Sequence, residues 1–242
     1  MSNSKAAILA RLQKEILPLQ GYKPAGNEGM DMGLGLVRNA FPNKSFPLGA
    51  VHEFIAANAE DAAASGGFIS GLVSHLMKTG GTAAWISASR TLFPYGLVQF
   101  GIEPDRMLFI DLPKEKELLW TIEEALKCSA LSAVVAELPR LDFTASRRLQ
   151  LAVEQSGVTA FLLRSNPKQL QTTACVTRWK ITPMASEAVD DLPGIGFPRW
   201  KIELLKVRNG KPGSWQLMWI DGGFQPVRRT ALIVEEKKIK TA

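Results

Sequence analysis

The sequence predicts an α/β fold, a mainly parallel sheet flanked by helices and closed by antiparallel C-terminal strands. Short continuous apolar runs at 50–55, 82–87, 107–111, 133–137 and 159–164 alternate with helix-length segments, the pattern of strands buried on both faces. After Asn166 the rhythm becomes apolar/polar alternation, at 176–181 and 200–207, as in antiparallel strands with one wet face. Asn209-Gly210 then marks a turn into the run 215–220. With 242 residues, 46% of them apolar, the chain is long enough to bury a substantial core.

In chain order, residues 1–20 form the first segment. Within it 5–17 reads as an amphipathic helix, with Ile8, Leu9, Leu12 and Ile16 on one face and Pro18 ending it. The Gly-, Pro- and Asn-rich stretch 21–47 reads as an extended connector, and the core is expected over 48–182. A helix is expected at 68–78, where Phe68, Ile69, Leu72, Val73, Leu76 and Met77 share a broad face; Gly80-Gly81 breaks it. A short helical stretch lies near 95–100. Two further helices follow, at 114–129, with Leu118, Ile122, Ala125 and Leu126 inward, and at 144–155. Strand–helix alternation of this kind implies right-handed crossovers and a doubly wound sheet. The acidic, Pro/Gly-bearing stretch 183–198 reads as a mobile loop. Residues 199–227 form a strand hairpin completing the core, and 228–242 a basic tail.

Composition excludes several classes. No apolar run reaches membrane-spanning length, and the N-terminus lacks the apolar centre of a secretory signal. Cys128 and Cys175 lie far apart inside apolar elements and are expected as buried free thiols of a reducing cytoplasm. The net charge is +6, and residues 199–242 carry all of the excess, with ten Lys/Arg against four acids. A localised basic segment suits nucleic acid or an acidic partner. The candidate contacts are Lys206, Arg208, Lys211, Arg228, Arg229, Lys237, Lys238 and Lys240. Such a tail gives salt-sensitive attraction to phosphates but no means of reading bases. Trp200, Trp215 and Trp219 offer stacking surfaces, with a core role expected for at least two. Ile8, Leu12 and Ile16 are candidates for a partner's groove.

Ser65-Gly66-Gly67-Phe68 follows the first predicted strand and opens an apolar helix, the position of a phosphate-binding loop. A working loop reads GxxxxGK[ST], its backbone N–H groups cradling phosphates, its Lys reaching them and its hydroxyl holding Mg²⁺. Gly67 and Phe68 stand where Lys and Ser/Thr are required. Acidic residues in the preceding 58–61 stretch would repel a triphosphate. His52 and His75 have no metal-ligand pattern around them, and His75 reads as a surface or partly buried imidazole. Ser87 and Ser89 sit in no GxSxG elbow. No catalytic residue, cofactor or metal is expected.

The run Phe46-Pro47-Leu48-Gly49-Ala50-Val51-His52-Glu53 resembles the entry to the core of RecA-type proteins. Together with Ala133-Val134-Val135-Ala136-Glu137, the run Leu141 to Leu151 that contains Arg147-Arg148-Leu149-Gln150, and Pro198-Arg199-Trp200 through Pro212-Gly213-Ser214-Trp215, it is similar to the ImuA family. These are RecA-like accessory proteins of bacterial SOS mutagenesis. The similarity covers 45–225. It implies a RecA-like fold and a place in DNA-damage tolerance and error-prone translesion synthesis. The implied partners are ImuB, a Y-family polymerase relative, an error-prone C-family polymerase, and RecA itself. It implies a cytoplasmic protein, nucleoid-associated when engaged, with non-specific DNA as a candidate contact and no membrane.

In RecA-type ATPases the catalytic carboxylate follows the second strand, where this chain has Ser89, which cannot orient an attacking water as Glu does. Glu137 alone survives as an acid. Lys206 and Arg208 fall where that family reaches a neighbour's nucleotide, so the resemblance implies a protein or DNA contact for them. Two other readings stay open: a SulA-like division inhibitor binding FtsZ, and a P-loop-variant ATPase using 62–67.

Overall fold

The computed structural model describes residues 30–78, 80–89, 91–167, 169–186 and 196–227. Among these residues nine strands form one sheet: β1 (Val51–Ala56), β2 (Thr82–Ser87), β3 (Met107–Asp111), β4 (Leu131–Glu137), β5 (Thr159–Ser165), β6 (Thr177–Met184), β7 (Arg199–Val207), β8 (Gly213–Ile220) and β9 (Gly223–Pro226). Their order is β3-β2-β4-β5-β1-β6-β7-β8-β9. Pairings from β3 across to β6 are parallel, and those from β6 to β9 antiparallel. The α/β expectation, with a mostly parallel sheet and antiparallel C-terminal strands, describes this architecture.

Helix α1 (Ala59–Met77) packs on one face of the sheet, and α2 (Glu115–Lys127) and α3 (Phe143–Ser156) on the other. The strand period of two divides the core accordingly. On β1, Phe54 and Ala56 meet the α1 side, while Val51 joins the α2/α3 side. The inward stripe predicted for α1 is buried throughout, and Leu118, Ile122 and Leu126 bury the α2 face. Asp142 caps α3, accepting the Ala145 N–H at 2.7 Å, and Gly157 at φ 81° ends it in the left-handed conformation.

Several expectations are corrected. Helix α1 begins at Ala59, nine residues before the expected start. The run at 176–181 is half of each kind: β6 pairs in parallel with β1 and antiparallel with β7. It continues to Met184, into the stretch expected as a loop; 187–195 lie outside the described residues. Strand β9 was not anticipated. In the stretch read as an extended connector, Gly35–Ala40 and Pro42–Lys44 form 3₁₀ turns, and Met32, Leu34, Val37, Ala40, Phe41 and Phe46 are buried in the α1-side core. Cys175 is buried as expected, but Cys128, just past α2, is exposed. His75 is buried rather than at the surface, its Nδ1–H donating to Gly71 O at 2.9 Å and its ring stacked on Phe224. The N-terminal helix and the basic tail fall outside the described residues.

Two polar groups sit at the centre of the sheet, both on β1. Glu53 is fully buried. Its Oε1 accepts from Arg164 Nη1 on β5 at 2.6 Å, and its Oε2 from Arg178 Nε on β6 at 2.7 Å and Thr173 Oγ1 at 2.9 Å. His52, also fully buried, donates from Nε2 to Pro47 O at 2.8 Å. Its Nδ1 then accepts from Thr177 Oγ1 at 2.8 Å, and that oxygen accepts from Trp179 Nε1 at 2.7 Å. Each hydrogen in this relay has one acceptor, so the imidazole is neutral. Burial pushes it from 6.5 down to about 3.

Two predictions follow from these groups. Replacing Glu53→Gln strands two guanidinium groups in low dielectric and is expected to cost about 3 kcal/mol in urea unfolding; a loss below about 1 kcal/mol contradicts a structural role. For His52, the unfolded imidazole takes a proton below 6.5 while the folded one does not until about 3. Its stabilisation is therefore complete above 6.5 and is lost as pH falls through that window. Between pH 6.5 and 5 the native chain is expected to lose about 2 kcal/mol more than His52→Gln; parallel slopes contradict the buried neutral imidazole.

Candidate functional site

The carboxyl ends of β1, β2, β4 and β5 open into a cavity of about 920 Å³. Ligands of open parallel sheets lodge at this edge, because successive crossovers leave a crevice beyond the strand ends. One wall is α1, which presents Ala59, Ala62, Ala63, Gly66, Gly67 and Ser70 to the space. These recur at three- and four-residue intervals, so they share one face of the helix. Trp85, Trp200 and Phe100 supply aromatic walls, and the 3₁₀ turn Pro94–Phe100 with the residues before it forms the outer side.

The four residues read as a degenerate nucleotide loop, Ser65, Gly66, Gly67 and Phe68, are not a loop. They lie in the interior of α1. Phe68 and Ser65 are wholly buried. The glycines follow from packing: a Cβ at Gly67 would lie 3.3 Å from both Phe100 and Trp200, and one at Gly71 only 2.5 Å from Phe224 and 2.9 Å from Trp219. They allow the rings to close on the helix at the expense of helix propensity.

The connection from β1 into α1 is only Ala57-Asn58. Asn58 Oδ1 accepts the Asp61 N–H at 2.7 Å, Asn58 O accepts the Ala62 N–H at 3.1 Å, and Asp61 Oδ2 reaches back to the Ala57 N–H at 3.3 Å. This reciprocal capping engages the Ala57 and Asp61 N–H groups at the helix start, where a phosphate would bind. Glu60 and Asp61 in the first turn add negative charge. The 58–61 stretch, expected to repel a triphosphate, is this cap and first turn.

Glu137 ends β4 and is the only ionisable group among the described residues lining the cavity. Trp85 Nε1 donates to its Oε1 at 2.8 Å. Burial raises its carboxyl above the ordinary range, opposed by hydrogen bonds from Trp85 and Thr91 and reinforced by the charge of Asp111. Ser89 lines the cavity, whereas Ser87 Oγ stands 3.1 Å from Asp111 Oδ1 and from Ser89 O. No group of three or more potential metal ligands occurs among the described residues. The cavity thus offers aromatic faces, small apolar residues and one desolvated carboxylate. Among its described lining residues nothing is positively charged to balance a polyphosphate.

The predicted basic residues lie elsewhere. Lys206 Nζ donates to Thr173 O and Arg208 Nη2 to Ala174 O, each at 2.8 Å, so both brace the segment that carries Thr173 to Glu53. Desolvation lowers the Lys206 ammonium from its usual value. Lys211 is exposed, its backbone N–H held by Ala40 O. Arg228, Arg229, Lys237, Lys238 and Lys240, with Ile8, Leu12 and Ile16, lie outside the described residues. Of the three tryptophans considered for stacking, Trp200 and Trp219 are core residues and Trp215 packs against the same core.

Sequence reasoning found Glu137 but missed its partner Trp85 and the walls Trp200 and Phe100. It also missed Glu53 with Arg164 and Arg178, although an acid inside the otherwise apolar run at 50–55 was a signal of a buried partner.

No protein-family model matches the chain. Protein ImuA from two strains of Caulobacter vibrioides is 34% identical to it over 209 residues, spanning 81% of this chain and 86% of the relative. At that identity and coverage, with a fold of the class expected from the resemblance, the chain belongs to the ImuA family.

Proposed function

We propose that this chain is a non-catalytic adaptor of DNA-damage-induced mutagenesis, joining an ImuB-like Y-family relative to an error-prone C-family polymerase during translesion synthesis, with RecA as a further partner. Family membership supports the setting. One structural observation supports the adaptor role: the cavity where a parallel α/β sheet receives its ligand has one carboxylate and no cation among its described lining residues. At the helix end facing it, the side chains of Asn58 and Asp61 take up the Asp61 and Ala57 N–H groups. Phosphoryl transfer rests on positioned positive charge, and an aromatic, nearly uncharged cavity suits protein contact instead.

Two measurements test this reading. Equilibrium titration with Mg²⁺-ATP is expected to show no saturable binding below the millimolar range; micromolar affinity with turnover would restore the ATPase reading. In cells, deleting the gene is expected to bring ultraviolet-induced mutation frequency down to the undamaged background, with recovery on complementation. Unchanged mutation frequency with altered filamentation would point to a division inhibitor instead.

A further inference from the structure

The cavity is too specific in its chemistry to be only an emptied site. Its volume of about 920 Å³ falls within the range of about 300–1,000 Å³ typical of ligand pockets. A neutral apolar occupant would add nothing to the hydrogen bonds that Glu137 already accepts from Trp85 and Thr91, and an anion would be repelled by the carboxylate. A cation with a flat, weakly hydrated head satisfies the carboxylate and stacks on the rings.

At the rim, Phe93, Tyr95 and Val98 are 69%, 72% and 55% exposed. The Phe93 and Tyr95 rings lie 5.7 Å apart, and Phe93 itself lines the cavity. Exposed apolar surface continuous with a pocket marks a protein contact. It gives an incoming chain somewhere to lie while one side chain enters.

We propose that the cavity receives an arginine side chain of a partner polypeptide, its guanidinium meeting the Glu137 carboxylate between aromatic walls while flanking apolar residues cover Phe93 and Tyr95. The aliphatic stem runs along the small residues of α1, where Ala62, Ala63 and Gly66 leave room for it. Trp85, holding Oε1 at 2.8 Å, orients the carboxylate toward the space. Arginine suits the site better than lysine because its guanidinium is planar, stacks on rings and gives up water more readily. The assignment rests on the adaptor reading, but its test is separate from the genetic one: failure here leaves the mutagenesis phenotype standing.

The full-length chain is titrated, by tryptophan fluorescence and calorimetry, with three probes: a capped Phe-Arg-Phe peptide, the same peptide with citrulline for arginine, and arginine amide alone. The arginine peptide is expected to bind about 10-fold or more tightly than the citrulline peptide, the scale of a hydrogen bond to a charged group. In Glu137→Gln that ratio is expected to fall to about 1. Gly66→Leu is the second variant. A Cβ there meets only Trp85, at 3.9 Å, and leucine favours the helix, so the melting temperature is expected to hold or rise while both peptides lose binding.

Equal affinity for the arginine and citrulline peptides, binding of neither, or discrimination that persists in Glu137→Gln overturns the proposal. Arginine amide binding as tightly as the peptide assigns the cavity to a small organic cation and overturns the polypeptide occupant.

Discussion

The carboxylate of Glu53 joins the two halves of this fold. A fully buried charge is tolerated only when its partners replace the water it has lost. Here those partners come from three separate places: Arg164 on β5, Arg178 on β6, and Thr173 on the segment between them. β5 lies on one side of β1 and β6 on the other, so the ion cluster spans the seam where the parallel sheet gives way to the antiparallel one. Its geometry also fixes residues 173–174, whose carbonyls then take the heads of Lys206 and Arg208. Residues that look from sequence like outward-reaching cations are thereby turned inward, completing the same cluster.

What was legible in the sequence was what depends on local pattern. The strands β2 and β3 were placed to the residue, and β4 and β5 to within two residues at either end, because buried parallel strands leave continuous apolar runs; β7, placed as closely, was legible from the alternation of an antiparallel strand. The start of α1 was not legible. Ser65-Gly66-Gly67 reads locally as a phosphate-binding loop, and what accounts for its second glycine lies far away: Phe100 and Trp200 occupy the space that a side chain at Gly67 would have filled. Tertiary packing overrode propensity. Strand β9 was missed for a related reason. It has four residues, and its Phe224 acquires a purpose only against Gly71 and His75.

The candidate site shows the same division. Glu137 was visible because the resemblance to RecA-type proteins directs attention to an acid at the end of this strand. Its environment was not, since Trp85 lies 52 residues away in the chain and meets it only because β2 and β4 are adjacent in the sheet. The preceding loop was misplaced for a reason that bears on function. A phosphate-binding turn needs a stretch of free backbone N–H groups between strand and helix. In this chain the stretch is only Ala57-Asn58, and the Ala57 and Asp61 N–H groups are engaged by the chain's own side chains. The missing lysine is thus one of two independent departures; the other is in the backbone.

These departures reinforce one another through electrostatics. A polyphosphate site concentrates positive charge at the strand ends and sets helix donors toward it. Among the described residues, this cavity is lined by one carboxylate, Glu137, and by no cation, and Glu60 and Asp61 add negative charge to the first turn of α1. The basic excess of the chain is confined to 199–242, where two of its members brace the Glu53 cluster and five lie in the terminal segment. Placing a cation near Glu137 relieves the desolvation that raises its carboxyl, whereas placing an anion there compounds it. Among the described residues, the edge of the sheet that would ordinarily attract phosphate carries a carboxylate instead, and that inversion supports the proposed basic side chain of another protein as its complement.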